Sequence, residues 1–229
     1  MYIRPTSPIT RIYFLRHAET KHNLGNIIST RDDVGLNEKG LDQANRLAER
    51  LSSQFPIDVL YSSPLNRAKQ CATIISEKLG IEIQFTDDLL EYSFGPIAGI
   101  RYDDVKERYP DLYTELINWS EAPLEDRFSR PELPGLEPMD HIKTRIQRFT
   151  EKVIAENEGH HIAVVTHGGF IKCAMTFFSG APFSQKMPFF VENASISIVD
   201  FYKGNPVIRL VNDISHTNDV LKMLKPLPL

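Results

Sequence analysis

Short apolar runs separated by longer stretches of helical periodicity constrain this chain more than any single residue does. Residues 11–15, 57–61 and 81–85 read as strands, and residues 38–54 and 65–79 between them read as helices. Strands alternating with helices at this spacing imply a largely parallel sheet covered on both faces. Within 38–54, Leu41, Ala44, Leu47, Ala48 and Leu51 recur every three or four residues, an apolar stripe that reads as core and not as a binding motif. Gly80 reads as the stop of the second helix. The expected fold is α/β, a three-layer sandwich around a mostly parallel central sheet.

The pattern breaks after residue 91. Pro96, Pro110, Pro123, Pro131, Pro134 and Pro138 punctuate residues 92–138 and leave short helical stretches at 102–108 and 112–119. Long connections in compact α/β domains are often lids or binding loops, although a plain surface excursion fits the spacing equally well. Helical periodicity returns over 139–156, followed by an apolar strand at 162–165 and a helix opened by Gly168 and Gly169. Two β-rich runs, 194–202 and 206–211, flank a turn at Gly204 and Asn205 and could pair as a hairpin at the sheet edge. The tail from Met223 reads as frayed. With no internal repeat, the 229 residues read as one domain, 1–229, with 92–138 inserted into it.

Composition narrows the partners. Hydrophobic residues make up 41% and charged residues 24%, an ordinary globular balance. The net charge of −4 offers no general attraction to nucleic acid or to an anionic membrane, so an anionic ligand must be attracted locally. No segment approaches the roughly 18 uninterrupted apolar residues of a membrane span, and residues 1–10 hold no apolar stretch of signal-peptide length. Cys71 and Cys173 stand far apart in no metal-type spacing, which favours free thiols in a reducing compartment. The expectation is a cytoplasmic protein with no nucleic-acid or membrane partner. The oligomeric state stays open, a homodimer being compatible with an edge strand near 206–211.

Three apolar runs end in polar residues of one chemical character. The first leads into Arg16 and His17, the second into Ser62, Ser63, Pro64 and then Arg67, and the third into Thr166, His167 and Gly168. In an open α/β sheet, ligands bind beyond the carboxyl ends of the strands, so His17, Arg67 and His167 can converge on one crevice. A nucleophile beside fixed positive charge suits phosphate chemistry. Singly, each is as well read as a strand-end histidine or a helix-surface arginine. His22, His141, His160, His161 and His216 lack such contexts, and no spacing fits a zinc or calcium template, a P-loop or a dinucleotide fingerprint.

The chain resembles the histidine phosphatase superfamily, which includes the cofactor-dependent phosphoglycerate mutases. The matching pieces are Arg16-His17-Ala18-Glu19-Thr20 with Asn23, Leu36-Asn37-Glu38-Lys39-Gly40 with Gln43 and Ala44, and Ser62-Ser63-Pro64 with Arg67 and Ala68. They continue with Leu89-Leu90-Glu91, Phe94-Gly95 and Thr166-His167-Gly168-Gly169. The resemblance implies a phosphoglycerate mutase-like fold with residues 92–138 as the lid. It implies His17 as the nucleophile, Arg16, Arg67 and His167 as groups on the phosphoryl oxygens, and Glu91 as the proton donor in preference to Asp87 and Asp88. Asn23 and Gly168 become substrate contacts, while Glu19 and Thr20 order the loop after the strand. The chain departs from the family at Ala18, Thr30, Ala98 and Pro138. Arg127 and Arg130 are separated by Phe128 and Ser129, so the paired arginines of the mutases are not reproduced. The implied activity is a phosphomonoester hydrolase with no metal and no cofactor, acting through phosphohistidine on a small phosphorylated substrate. A phosphoglycerate mutase is the alternative, and a non-catalytic phosphate-ligand or protein binder the third reading.

Overall fold

The computed structural model describes residues 8–28, 31, 34–121, 135–183 and 189–217. The stretch before Pro8, Thr30, Pro123, Arg127, Arg130, Pro131, Pro134 and the tail from Met223 lie outside them. In chain order the elements are β1 (Thr10–Arg16), α1 (Lys21–Leu24), α2 (Glu38–Gln54), β2 (Val59–Ser62), α3 (Asn66–Leu79) and β3 (Ile83–Phe85). They continue with α4 (Val105–Arg108), α5 (Pro110–Glu121), α6 (Met139–Glu156), β4 (His161–Thr166), α7 (Gly168–Phe178), β5 (Ile196–Tyr202) and β6 (Asn205–Asp213). The six strands form one sheet in the order β3-β2-β4-β1-β5-β6. The β3–β2, β2–β4 and β4–β1 pairs are parallel, and β5 and β6 add antiparallel.

Both faces of the sheet are dry, because successive strand side chains point to opposite sides. In β1, Ile12 and Phe14 join one cluster with Ile142, Ile146 and Phe149 of α6 and with Phe170, Ile171 and Met175 of α7. Tyr13 and Leu15 join the other, with Leu47 and Leu51 of α2 and Cys71 and Ile75 of α3. The result is the three-layer sandwich, and each large apolar side chain so buried contributes about 1.5–3 kcal/mol. Asn37 starts α2 by accepting the Gly40 N–H at 2.8 Å, and Gly80, with φ 70°, stops α3 in left-handed backbone. Of the expected α2 stripe, Ala44, Leu47, Ala48 and Leu51 are buried while Leu41, at the stripe's edge in the first turn, is 43% exposed.

The carboxy-terminal hairpin forms as expected, with its turn one residue earlier. Tyr202 pairs with Asn205, and the two linking residues, Lys203 and Gly204, have φ 50° and 80°, the primed turn that suits twisted strands. Cys71 and Cys173 are buried thiols, neither in a disulfide. Among the described residues no helix is long and apolar enough to cross a membrane.

Candidate active site

Parallel pairing brings the three strand ends to one edge of the sheet. Arg16 stands opposite Thr166, and Ser62 opposite Val165, so His17 and His167 leave their strands side by side and Ser63 leaves β2 one residue short of that level. The His17 amide donates to the Thr166 carbonyl (2.9 Å) and the Ser63 amide to that of Val165 (2.9 Å), carrying the register one step past the strands. The two imidazoles lie 5.2 Å apart between ring centroids. Arg67, the second residue of α3, reaches in from the helix that follows β2.

The nitrogens of His17 have separate duties. Nδ1 lies 2.8 Å from the Ala18 carbonyl, which only accepts, so Nδ1 carries the proton. Nε2 receives the Arg67 Nε–H at 3.3 Å and therefore presents its lone pair. Burial first, and then the charges of Arg67 and Arg16, hold the ring well below the ordinary histidine range, so it is neutral at pH 7. A neutral, lone-pair Nε2 beside guanidinium is a nucleophile poised toward an anion. Ala18 is accommodated without positive φ, and its methyl packs in the α2–α3 layer.

Arg16 anchors one guanidinium nitrogen, Nη1, on the Val191 carbonyl at 2.6 Å. Its buried Nε has no partner among the described residues, and neither does His167 Nδ1. The Arg16 Nε–H is a donor such as phosphoryl oxygens accept. A Cβ on Gly168 would sit 3.0 Å from Arg16 Nε, so glycine lets the α7 start approach that arginine. His167, like His17, is held well below the ordinary range by burial and then by Arg67, His17, Arg16 and Arg145.

Glu91 is buried, 4% exposed, at the amino end of α7. Its Oε2 accepts the Gly169 N–H (3.0 Å), and its Oε1 accepts those of Phe170 (3.0 Å) and Tyr92 (3.1 Å). The open N–H donors at the start of α7 are, at Gly169 and Phe170, taken by this carboxylate. A Cβ on Gly169 would come within 2.5 Å of Glu91 Oε1 and 2.2 Å of Tyr92 Cε1, so only glycine admits the carboxylate there. Asp88 instead turns outward and pairs with Arg148.

The loop after β1 is ordered by Glu19 and Thr20, as expected, and also by Asn23, which was expected only as a substrate contact. Thr20 and Asn23 form a capping box, and Glu19 accepts from Asn37 Nδ2 at 3.0 Å. Asn23 Oδ1 accepts from the Thr20 amide (3.0 Å), the Thr20 hydroxyl (3.1 Å) and Asn193 Nδ2 (3.2 Å). With its oxygen so occupied, Asn23 offers its amide nitrogen as a donor.

Several contributors carry no motif. Asn193 Nδ2 also donates to the His17 carbonyl (3.1 Å). Behind Glu91, Arg145 donates to the Asp88 and Leu90 carbonyls (2.8 and 3.0 Å) and forms a two-pronged pair with Glu137 (2.8 and 3.0 Å). Glu137 also accepts from the Ser93 amide and Arg31, and Arg31 Nε donates to the Glu91 carbonyl at 3.3 Å. Their only signal in the sequence is charge on an otherwise amphipathic helix or in a loop. Among the described residues, no group of three or more His, Cys, Asp or Glu side chains is placed to hold a metal ion.

Residues 12–214 match the family model described as the histidine phosphatase superfamily, branch 1. The metal-independent phosphoserine phosphatase of Arabidopsis thaliana is 30% identical over 220 residues, 95% of this chain and 87% of that protein. Bifunctional protein Rv2228c of Mycobacterium tuberculosis is 32% identical over 93% of this chain, which spans 58% of that protein's length. Among solved structures, Bacillus stearothermophilus YhfR superimposes with a TM-score of 0.79 at 25% identity, over 90% of this chain and 98% of that one.

Proposed function

The chain belongs to the histidine phosphatase superfamily, branch 1, and on that premise we propose that it is a metal-independent phosphomonoester hydrolase. The observation that carries the reading is the hydrogen bonding of His17: Nδ1–H is held by Ala18, which leaves Nε2 unprotonated, its lone pair accepting from the Arg67 Nε–H that an incoming phosphoryl group would take over. Nε2 attacks phosphorus in line, forming the N–P bond as the ester P–O bond breaks. Arg16, Arg67 and His167 stabilise charge on the three equatorial oxygens. Glu91, entering this step as the neutral acid, gives its proton to the leaving alkoxide and becomes the carboxylate that the Gly169 and Phe170 amides hold. Water then attacks the phosphohistidine, Glu91 takes a proton back, and phosphate leaves with His17 restored. The guanidinium groups supply the positive charge that a metal ion supplies in other phosphatases.

The substrate is a small phosphorylated metabolite. Phosphoserine is the first to test, given the activity named for the Arabidopsis relative. We also propose residues 92–138 as the lid. Two links support it: Ile27, just after α1, bridges to Arg101 of the segment, and Phe94 bridges to Leu136, joining the segment's two ends to each other. A cytoplasmic location accompanies this reading, consistent with two buried cysteines that form no disulfide.

The decisive assay is hydrolysis of an aryl phosphate with a chelator present, comparing the intact protein with His17→Ala. Turnover that survives chelation and is lost by at least about 10⁴-fold in the variant is expected. Activity that dies on chelation alone would sink the proposal. Adding a bisphosphoglycerate and following exchange between phosphoglycerate positions tests the mutase alternative in the same tube.

A further inference from the structure

The end of β2 holds a hydroxyl whose proton has one place to go. Ser63 is fully buried. Its Oγ lies 3.4 Å from the Leu65 amide and 2.8 Å from His167 Nε2. An amide N–H only donates, so Leu65 takes the hydroxyl oxygen as its acceptor. The hydroxyl proton then needs an acceptor of its own, and among the described residues His167 Nε2 is the one within hydrogen-bond distance. We infer that Ser63 donates to His167 Nε2 and thereby fixes His167 as the Nδ1–H tautomer, making Ser63 the positioning residue that gives His167 a proton to offer to a phosphoryl oxygen.

Two further observations agree. Burial and the surrounding guanidinium groups keep the His167 ring neutral, so it has one proton and the question is only where it sits. Nδ1 is buried without a partner among the described residues, the condition of a donor waiting for a ligand. The opposite tautomer would turn a bare lone pair toward an incoming anion and would strand the buried Ser63 proton, an unsatisfied donor in the interior. His17 and His167 thus carry their protons on the same ring nitrogen while serving opposite roles: the carbonyl of Ala18 frees Nε2 of one for attack, and the hydroxyl of Ser63 frees Nδ1–H of the other for donation.

The kinetic part of this inference rests on the phosphohydrolase reading; the tautomer does not. Long-range proton–nitrogen spectra of protein labelled with ¹⁵N-histidine, the His167 signals assigned by their loss in His167→Asn, report the proton's position directly. The expected result is Nδ1–H in the unaltered protein, a mixture or Nε2–H in Ser63→Ala, and Nδ1–H again in Ser63→Thr. With an aryl phosphate, Ser63→Ala should lose about tenfold or more in kcat with KM changed less than about threefold, and Ser63→Thr should recover most of it. Nε2–H in the unaltered protein overturns the inference, as does Ser63→Ala with the original tautomer and full kcat. A protein that turns over no phosphate ester defeats the hydrolase reading alone, and the spectra still decide the tautomer.

Discussion

His17 illustrates how much of a residue's chemistry depends on its neighbours. As a free side chain it would be half charged near pH 6.5. In place, burial and then Arg67 and Arg16 favour the neutral ring. A depressed value means His17, the proposed nucleophile, stays unprotonated as the pH falls through 6.5. The acid limb of kcat/KM, which reports the free enzyme, should therefore lie below pH 6.5. A pH–rate profile from 4 to 9 checks this, and a limb at or above 6.5 would show that the arginines do not act as described. His17, Arg67 and His167 were legible because strand ends in a parallel sheet must meet. Asn193 was not, since its contacts with His17 and Asn23 cross about 170 residues of chain and leave no local trace.

At the scale of the element, the amino end of α7 and the segment carrying Glu91 form one unit. Gly169→Ala would push a methyl into Tyr92 and Glu91. The expected cost is about 1–3 kcal/mol of stability, by analogy with overpacked cores, together with a lower kcat from a displaced carboxylate. Denaturant titration and steady-state kinetics on the same preparation check both. The clamp behind it predicts a related outcome. Arg145 and Glu137 are each little exposed, with side chains at 13% and 11%, so Arg145→Met leaves a carboxylate without its main partner and should lose about 3 kcal/mol. Thermal melts measure that loss; kcat should fall more than KM rises, because what loosens is the placement of Glu91. The helices themselves were readable to within a residue or two, as α2 and α6 show, because an apolar stripe with a cap is a local property. The clamp was not readable, because a charged residue on a helix face looks solvated until the fold covers it.

For the whole molecule, the same burial that tunes the site makes the fold sensitive to acid. His216 Nδ1 faces Arg50 Nη1 at 3.1 Å and Nε2 bonds the Ala194 carbonyl at 2.9 Å, so the ring must be neutral with its proton on Nε2. Burial, followed by Arg50, lowers it to about 4. The unfolded chain takes up that proton near pH 6.5. Stability is therefore full above 6.5 and declines as the pH falls toward 4, by roughly 1–2 kcal/mol for this partly exposed ring after allowance for solvent screening. His17 and His167 act in the same direction. Melting temperatures taken between pH 7 and 4 should fall, and His216→Asn should flatten the slope; an unchanged slope would remove His216 from the account. The sequence by itself determined the layered α/β order and the strand ends that bring His17, Arg67 and His167 together as candidate reactive groups, because periodicity and strand termini are local. Only the tertiary structure decided that the donors of Gly169 and Phe170 hold Glu91, which nitrogen of His17 faces the site, and that Asn193, Arg145 and Glu137 support it. Those outcomes depend on distances between segments far apart in the chain, and no local pattern encodes them.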